Sequence, residues 1–96
     1  MSRAAQPVAN PIPMTRAQIR AELAKMFRVP RVSDVDPIGD YIEGGPGAVA
    51  AFWEPLVDWP AFGEHGLWVG PNDLRFVTTI GELVSVIDWA LRHATR

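Results

Sequence analysis

The positions of the prolines constrain the fold of this chain more than any other feature of its sequence. After an N-terminal group at 7, 11 and 13, prolines follow at 30, 37, 46, 55, 60 and 71. Proline removes a backbone donor, and its ring clashes with the preceding turn of a helix. The two longest proline-free stretches, residues 14–29 and 72–96, are therefore where long helices should form.

The first of these stretches carries the pattern of an amphipathic helix. Thr15 and Gln18 have the spacing of a capping box, in which each side chain binds the backbone amide of the other residue. Apolar side chains then recur at positions 19, 23, 26 and 27, which lie on one face of a helix. We expect this helix to end before Pro30.

The last stretch carries the same pattern more clearly. Thr79 and Glu82 form a second predicted capping box, and an apolar stripe follows at positions 80, 83, 84, 87 and 91. Arg92 lies where a cation opposes the partial negative charge of the last carbonyls. We expect a final helix that runs from Thr79 to about His93.

The region between the two helices is less regular. Residues 30–45 have no sustained apolar period and should form a long loop with a short helical turn near Asp40. Pro46 suits the first position of a second helix, which Pro55 should end or kink. For residues 56–76 two structures stay open: loop with a short helix at 71–76, or a β-hairpin of "GLWV" and "LRFV".

These elements predict an all-α protein. The expected architecture is a small bundle of three to four helices with a long loop between helices one and two. A chain of 96 residues supports one modest core, so we expect a single domain at 14–96. Residues 1–13, which are rich in Ala, Pro and Asn, are predicted to be a disordered tail.

Composition argues against several classes of function. The chain has no cysteine, which removes disulfides, thiol catalysis and cysteine-based zinc sites. Nine Lys and Arg are scattered along a chain of net charge −2, so nothing favours nucleic-acid binding. The longest apolar run, "AVAAFW", is far too short to span a bilayer. We expect a soluble cytoplasmic protein with no membrane partner.

No motif predicts catalysis or metal binding. Asp34, Asp36 and Gly39 begin like a calcium loop, but later positions lack the required side-chain oxygens. The stretch "GGPG" lacks the Lys-Ser/Thr of a phosphate-binding loop. His65 and His93 are far apart in sequence, and no carboxylate differs from a solvated surface group. The sequence therefore predicts a protein that is not an enzyme and has no metal site.

Three segments of the sequence resemble the acyl carrier protein family. The stretch "FVTTIGELVSVIDWAL" is similar to the last helix of carriers, and "VGPNDLRFVTT" resembles their short third helix. The stretch "GDYIEGGPGAV" is aligned with the family's D-S-L signature at the start of helix two. The resemblance covers residues 15–93 and places Asp40 at the acidic position, Tyr41 at the apolar one and Val49 at an inward-facing one.

The chain departs from the carrier pattern where the prosthetic group is attached. Carriers bind phosphopantetheine through the serine of D-S-L, and Gly44, Gly45 and Pro46 occupy these three positions here. Gly45, at the serine position, has no hydroxyl. The resemblance therefore implies a carrier-like protein without a phosphopantetheine arm and without another cofactor. A true carrier modified elsewhere would have to use Ser33 or Ser85.

The resemblance implies that such a protein acts by protein contact through helix two and the preceding loop. The implied partner is another protein, for example an acyl- or polyketide-processing enzyme. Trp53 is the aromatic residue most expected to be exposed, because it cannot share one inward face with Phe52 and the other apolar residues of a two-turn helix. The predicted partner-binding residues are Tyr41, Gly44, Gly45, Ala48, Phe52 and Trp53. The alternatives are an unrelated small helical adaptor and a subunit that pairs with a second copy through the apolar patch that an exposed Phe52 or Trp53 would form.

Overall fold

Five α-helices and three 3-10 segments form the part of the chain, residues 14–93, that the computed structural model describes. The α-helices are α1 (Arg16–Phe27), α2 (Trp53–Asp58), α3 (Pro60–Glu64), α4 (Pro71–Leu74) and α5 (Ile80–Arg92), and the 3-10 segments are Ile38–Asp40, Gly45–Gly47 and Val49–Phe52. No strand forms between residues 14 and 93, where a single isolated bridge joins Pro37 to Thr79. The predicted all-α class is confirmed. The predicted tail, residues 1–13, lies outside the described residues.

The two long helices are those predicted from the capping boxes. In α1 the Gln18 amide donates to Thr15 Oγ1 at 3.1 Å, and the Thr15 amide donates to Gln18 Oε1 at 2.8 Å. In α5 the Glu82 amide donates to Thr79 Oγ1 at 3.2 Å. Helix α1 ends at Phe27, before Pro30 as expected, and the left-handed backbone of the following Arg28 (φ 60°) turns the chain back.

The predicted second helix is wrong in its bounds. From Gly45 to Phe52 the chain forms two 3-10 turns, and the α-helix begins only at Trp53. Pro55 does not end this helix, because it is the third residue of α2. The first four amides of any helix lack an intrahelical acceptor, so the missing amide of Pro55 leaves no bond unmade. The short helical turn expected near Asp40 is present as the 3-10 segment Ile38–Asp40.

Residues 56–76 contain helices, not a hairpin. Trp59 has an extended backbone (φ −67°, ψ 126°) that separates α2 from α3, and Pro60 begins α3. The segment "LRFV" begins inside α4, so it cannot be a strand of the hairpin. Helix α4 begins where the Gly70 amide donates to Asp73 Oδ2 at 2.7 Å.

A single apolar core joins all five helices. The fully buried side chains come from α1, α2, α3, α4, α5 and the segments between them: Ile19, Leu23, Ile38, Val49, Leu56, Phe62, Val69, Leu74, Ile80, Leu83, Val84 and Ile87. No polar or charged residue of the described chain is buried. None of the helices within 14–93 has both the length and the apolar character needed to cross a membrane.

The long loop after α1 is attached to the start of α5. The Ile80 and Gly81 amides donate to the carbonyls of Asp36 and Asp34, both at 2.9 Å, and the Ile38 amide donates to the Thr78 carbonyl at 2.9 Å. These bonds satisfy helix-terminal amides that have no intrahelical partner. They hold residues 34–38 in place and so position the segment that follows, residues 40–58.

Candidate functional site

The glycine turn at 44–47 has a backbone that requires glycine. Gly44 has φ 94° and Gly45 has φ 62°, both in the left-handed region that side chains disfavour. A Cβ placed on Gly44 would lie 2.7 Å from the Cβ of Ala48, which is closer than two carbon atoms can approach. The glycines therefore shape a tight turn, and Gly45, aligned with the carrier serine, lies inside it.

Two backbone amides of this turn are already paired. The Gly45 amide donates to the Ile42 carbonyl at 2.9 Å, and the Ala48 amide donates to the Gly45 carbonyl at 2.9 Å. Pro46 has no amide to offer. Because these donors are used within the turn, and because the segment is 3-10 and only three residues long, it does not form the amide cradle that holds a phosphate.

The serines within residues 14–93 lie outside this turn. Ser33 is exposed in the loop after α1, where its amide donates to Asp36 Oδ2 at 2.9 Å. Ser85 is exposed on α5, and its Oγ accepts a hydrogen bond from Arg16 Nη1 at 3.0 Å. Neither serine starts a helix.

Three aromatic rings form a stack beside the glycine turn. Phe27, from the end of α1, lies between Tyr41 and Phe52, with ring centroids 5.1 Å and 5.5 Å away and interplanar angles of 24° and 23°. All three residues are partly exposed. Offset stacking of this kind stabilises beyond the area it buries. The stack connects α1 to residues 40–58, and part of the surface of each ring stays accessible.

Tyr41 is held in place by a hydrogen bond to a loop carboxylate. Its hydroxyl donates to Asp36 Oδ2 at 2.5 Å. This bond lowers the pKa of Asp36, with help from the Ser33 amide, and raises the pKa of Tyr41 to about 12. Tyr41 is thus a fixed, half-buried residue whose phenol stays neutral over the physiological range.

Phe52 and Trp53 are less exposed than the sequence suggested. Both are partly buried and pack against the core, and the Trp53 ring meets Trp68 edge-on with centroids 5.7 Å apart. The expectation of an exposed Trp53 assumed one continuous α-helix, but the change from 3-10 to α between these two residues removes that periodicity. Gly44 is exposed, and Gly45 and Ala48 are half-buried.

The largest exposed apolar side chains lie elsewhere. Val35, Trp68, Phe76 and Trp89 are between 64% and 81% exposed. Trp68 and Trp89 line an open groove of about 290 Å³ between the α4 region and α5, which Val69 and Val86 also line. His93 stacks on Trp89 with ring centroids 4.0 Å apart. Sequence reasoning selected the wrong tryptophan for exposure.

The carboxylates that resembled a calcium loop bind other protein groups. Asp34 accepts a hydrogen bond from Arg20 Nη1 at 3.2 Å, and Asp36 binds Tyr41 and the Ser33 amide. No group of three or more His, Cys, Asp or Glu that could hold a metal ion occurs among residues 14–93. The two carboxylates thus form an ion pair and a turn cap within the protein.

Charge is segregated along the chain, which the sequence analysis missed. Eight acidic residues and no Lys or Arg lie between 32 and 74, whereas five of the nine cations lie between 16 and 31. Asp40, Glu43, Glu54 and Asp58 are exposed, and within the described residues no cation lies at ion-pair distance from them. The order of charges in the sequence contains this signal, whereas total net charge conceals it. The candidate segment 40–58 is therefore an acidic, partly aromatic surface.

No protein-family model, curated protein or solved structure matches the chain at a significant level.

Proposed function

We propose that this chain is a non-enzymatic, carrier-like domain without a phosphopantetheine arm, which acts by contact with another protein through residues 40–58. One observation carries the proposal. Residues 40–58 contain four exposed carboxylates, on Asp40, Glu43, Glu54 and Asp58, together with the partly exposed rings of Tyr41 and Phe52, and they contain no Lys or Arg. Acidic and aromatic groups in one exposed segment favour binding to a basic patch on a partner.

Electrostatics give this surface its selectivity. Exposed carboxylates contribute little affinity one at a time, but together they steer a partner of opposite charge and repel one of like charge. The fixed rings of Tyr41 and Phe52 supply apolar area that needs little further ordering, which limits the entropic cost of binding. The partner should therefore present Lys or Arg around an apolar depression, as an acyl- or polyketide-processing enzyme that docks a carrier would.

The geometry at Gly45 supports the absence of an arm. A phosphodiester link needs a hydroxyl at the start of helix two, and the aligned residue is a glycine in a left-handed turn. Ser33 and Ser85 remain the attachment points of the alternative in which this is a true carrier.

The exposed tryptophans favour a second candidate function. Trp68 and Trp89 line an apolar groove on the α5 side of the molecule. A small helical subunit that pairs with a second copy of itself would bury such a groove. This function uses a different surface from the acidic segment, so the two can be separated by experiment.

The first experiment is the intact mass of the protein purified from its own host. We expect the mass calculated from the sequence. A mass increased by one phosphopantetheine group would contradict the arm-free proposal, and peptide mapping would then distinguish Ser33 from Ser85.

The second experiment compares the proteins that co-purify with the full chain and with two charge-reversal variants from that host. Glu43→Lys lies in the proposed surface, and Glu64→Lys is the matched control at the end of α3. We expect at least one stoichiometric partner to be lost with Glu43→Lys, to be retained with Glu64→Lys and to dissociate as salt rises. Identical partner sets for all three proteins would rule out contact through this segment. If the wild type is a dimer that Trp89→Ala converts to a monomer, the homodimeric function is supported instead.

A further inference from the structure

We infer that a groove along α1 is a second docking surface, which binds an acidic amphipathic helix of another protein. The basic groove, as we call it, has a volume of about 390 Å³ and lies between α1 and the segment 29–32 that follows it. Its apolar lining comes from Ala17, Ala21, Ala24, Val29 and Val32, and its cationic lining from Arg20, Lys25 and Arg31.

The backbone turn after α1 creates this groove. Arg28 has a left-handed conformation, and the Val29 amide donates to the Ala24 carbonyl at 3.0 Å. This bond closes the end of the helix and sends the chain back along its last turns. Residues 29–32 therefore form the second wall of the groove, beside the helix.

The apolar lining suits a helix as the occupant. Ala17, Ala21 and Ala24 are four and three residues apart, so they lie on one face of α1. Their short side chains let another helix approach the α1 backbone closely. From Ala17 to Ala24 the helix rises about 10 Å, the length of two helical turns. An occupant with apolar residues at i, i+3 or i+4, and i+7 would match this length.

The charge around the groove selects an acidic occupant. Residues 16–31 contain five cations and one acid, Glu22. Glu22 pairs with Lys25 at 3.2 Å, and Asp34 pairs with Arg20 at 3.2 Å and with Arg16 at 3.7 Å. Subtracting these two carboxylates from the five cations leaves a net charge of +3 for the segment. Of the three cations that line the groove, Arg20 and Lys25 are paired in this way, and Arg31 supplies the remaining positive charge. Within the described chain, no carboxylate lies at ion-pair distance from Arg28 or Arg31.

The groove has both an apolar wall and cations, and this combination favours an acidic helix over other negatively charged partners. A nucleic-acid backbone would use the cations but would leave the alanine and valine lining without a partner. A helix with a narrow apolar stripe flanked by Asp and Glu would use both. Together with the proposed function, this inference gives the chain two docking surfaces for partners of opposite charge. Residues 40–58 would bind a basic partner, and the basic groove would bind an acidic helix.

The test uses the full-length chain and two labelled peptides. The probe is a helical peptide of about 14 residues with a stripe of Leu and Ala flanked by Glu, and its counterpart has every Glu replaced by Lys. Fluorescence anisotropy is measured at about 0.05 M and about 0.3 M salt. We expect the Glu peptide to bind at least about tenfold more tightly than the Lys peptide, and more weakly at the higher salt concentration.

Two groove variants and one control locate the binding site. Arg31→Glu should weaken binding of the Glu peptide about tenfold by placing a like charge at the rim, and Ala21→Gln should weaken it by filling the groove. Both positions are exposed, so the fold should tolerate the changes. Arg75→Glu, outside the groove, makes the same change in net charge and should have a much smaller effect.

Several outcomes would overturn the inference. These are no binding of the Glu peptide, equal affinity for both peptides, or an equal loss of affinity for the Glu peptide in Arg31→Glu and Arg75→Glu. The inference also fails if the wild type self-associates and Arg31→Glu makes it monomeric, because the occupant is then a second copy of the chain.

Discussion

Gly44 and Gly47, at the two ends of the glycine turn, have different roles, which single substitutions can separate. Gly44 combines φ 94° with a 2.7 Å approach of its added Cβ to Ala48, whereas a Cβ on Gly47 would have no neighbour within 4 Å. Gly44→Ala should therefore lower the free energy of unfolding by about 1–3 kcal/mol, because the left-handed backbone is strained for any side chain. Gly47→Ala should change it by less than about 0.5 kcal/mol or raise it slightly.

Urea unfolding of both variants measures this difference. If the free energy of unfolding falls for Gly44→Ala and not for Gly47→Ala, the shape of the turn depends on Gly44. Equal stabilities would mean that residues 44–48 adopt another backbone in solution. In that case a serine at position 45 would be sterically acceptable.

The Tyr41–Asp36 hydrogen bond makes a prediction about pH. Tyr41 is the only tyrosine of the chain, so the absorbance of tyrosinate reports on it alone. The bond to Asp36 raises its pKa from the ordinary 10.0 to about 12. The raised pKa belongs to the folded state, so this contribution to stability is complete below pH 10.0. It is lost as the pH rises toward about 12.

Asp36→Asn should lower the pKa of Tyr41 toward its ordinary value, because the charged acceptor is gone. Asp40→Asn is the matched control, since the charge of Asp40 is the smallest of the causes that raise the pKa of Tyr41. We expect a clear decrease for the first variant and a small one for the second. If neither variant changes the tyrosinate midpoint, the hydrogen bond does not form in solution.

At the scale of elements, the contact between the loop after α1 and the start of α5 predicts that alanine at position 81 destabilises the protein, although alanine favours a helix. A Cβ on Gly81 would lie 2.9 Å from the Asp34 carbonyl oxygen, which is backbone and cannot rotate away. A Cβ on Gly63, in α3, would lie 3.4 Å from the Val57 carbonyl oxygen. Alanine favours a helix over glycine by about 1 kcal/mol, so the propensity term is the same at both sites.

Gly63→Ala should therefore stabilise the protein by up to about 1 kcal/mol, and Gly81→Ala should destabilise it by about 1–2 kcal/mol despite the better helix former. The midpoint of thermal unfolding measures both effects. Stabilisation by Gly81→Ala would indicate that residues 34–36 move away easily and do not anchor the loop to α5.

The elements that could be predicted from sequence are those whose signals are local. Helices α1 and α5 have capping boxes and apolar stripes within a few residues, so the pattern alone locates them. Helices α2 and α3 could not be located, because Pro55 and Pro60 read as helix breakers unless their positions in the first turn are known. The break between α2 and α3 lies at the extended backbone of Trp59, whose indole Nε1 donates to Glu22 of α1 at 2.8 Å. A contact between residues 22 and 59, which are far apart in the chain, produces no periodic pattern in the sequence.

The candidate site could be predicted from the sequence only in part, for a related reason. The glycines at 44 and 45 were found from composition, but their left-handed conformation and the contact with Ala48 depend on three-dimensional structure. The partial burial of Trp53 depends on a change of helix type between Phe52 and Trp53 that no residue pattern predicts. The segregation of charge was readable, because it needs only the order of charged residues.

At the scale of the whole molecule, the segregated charge predicts binding to ion exchangers of both signs. The chain has a net charge of −2 and a pI near 5.5, so it should bind an anion exchanger at pH 7. Charges more than about 10 Å apart are screened from each other at about 0.1 M salt, so a local patch can act independently of the total. We expect residues 16–31 to retain the protein on a cation exchanger as well, at about 0.1 M salt.

Arg31→Glu should abolish this retention on the cation exchanger, whereas Arg75→Glu, with the same change in net charge, should only weaken it. The salt concentration at elution measures the effect for each protein. If the wild type passes through the cation exchanger, the carboxylates of Glu22 and Asp34 neutralise the patch more fully than their ion pairs imply. Among residues 14–93, the acidic segment 40–58 would then be the only strong electrostatic feature, and the basic groove would lose its selectivity for an acidic helix.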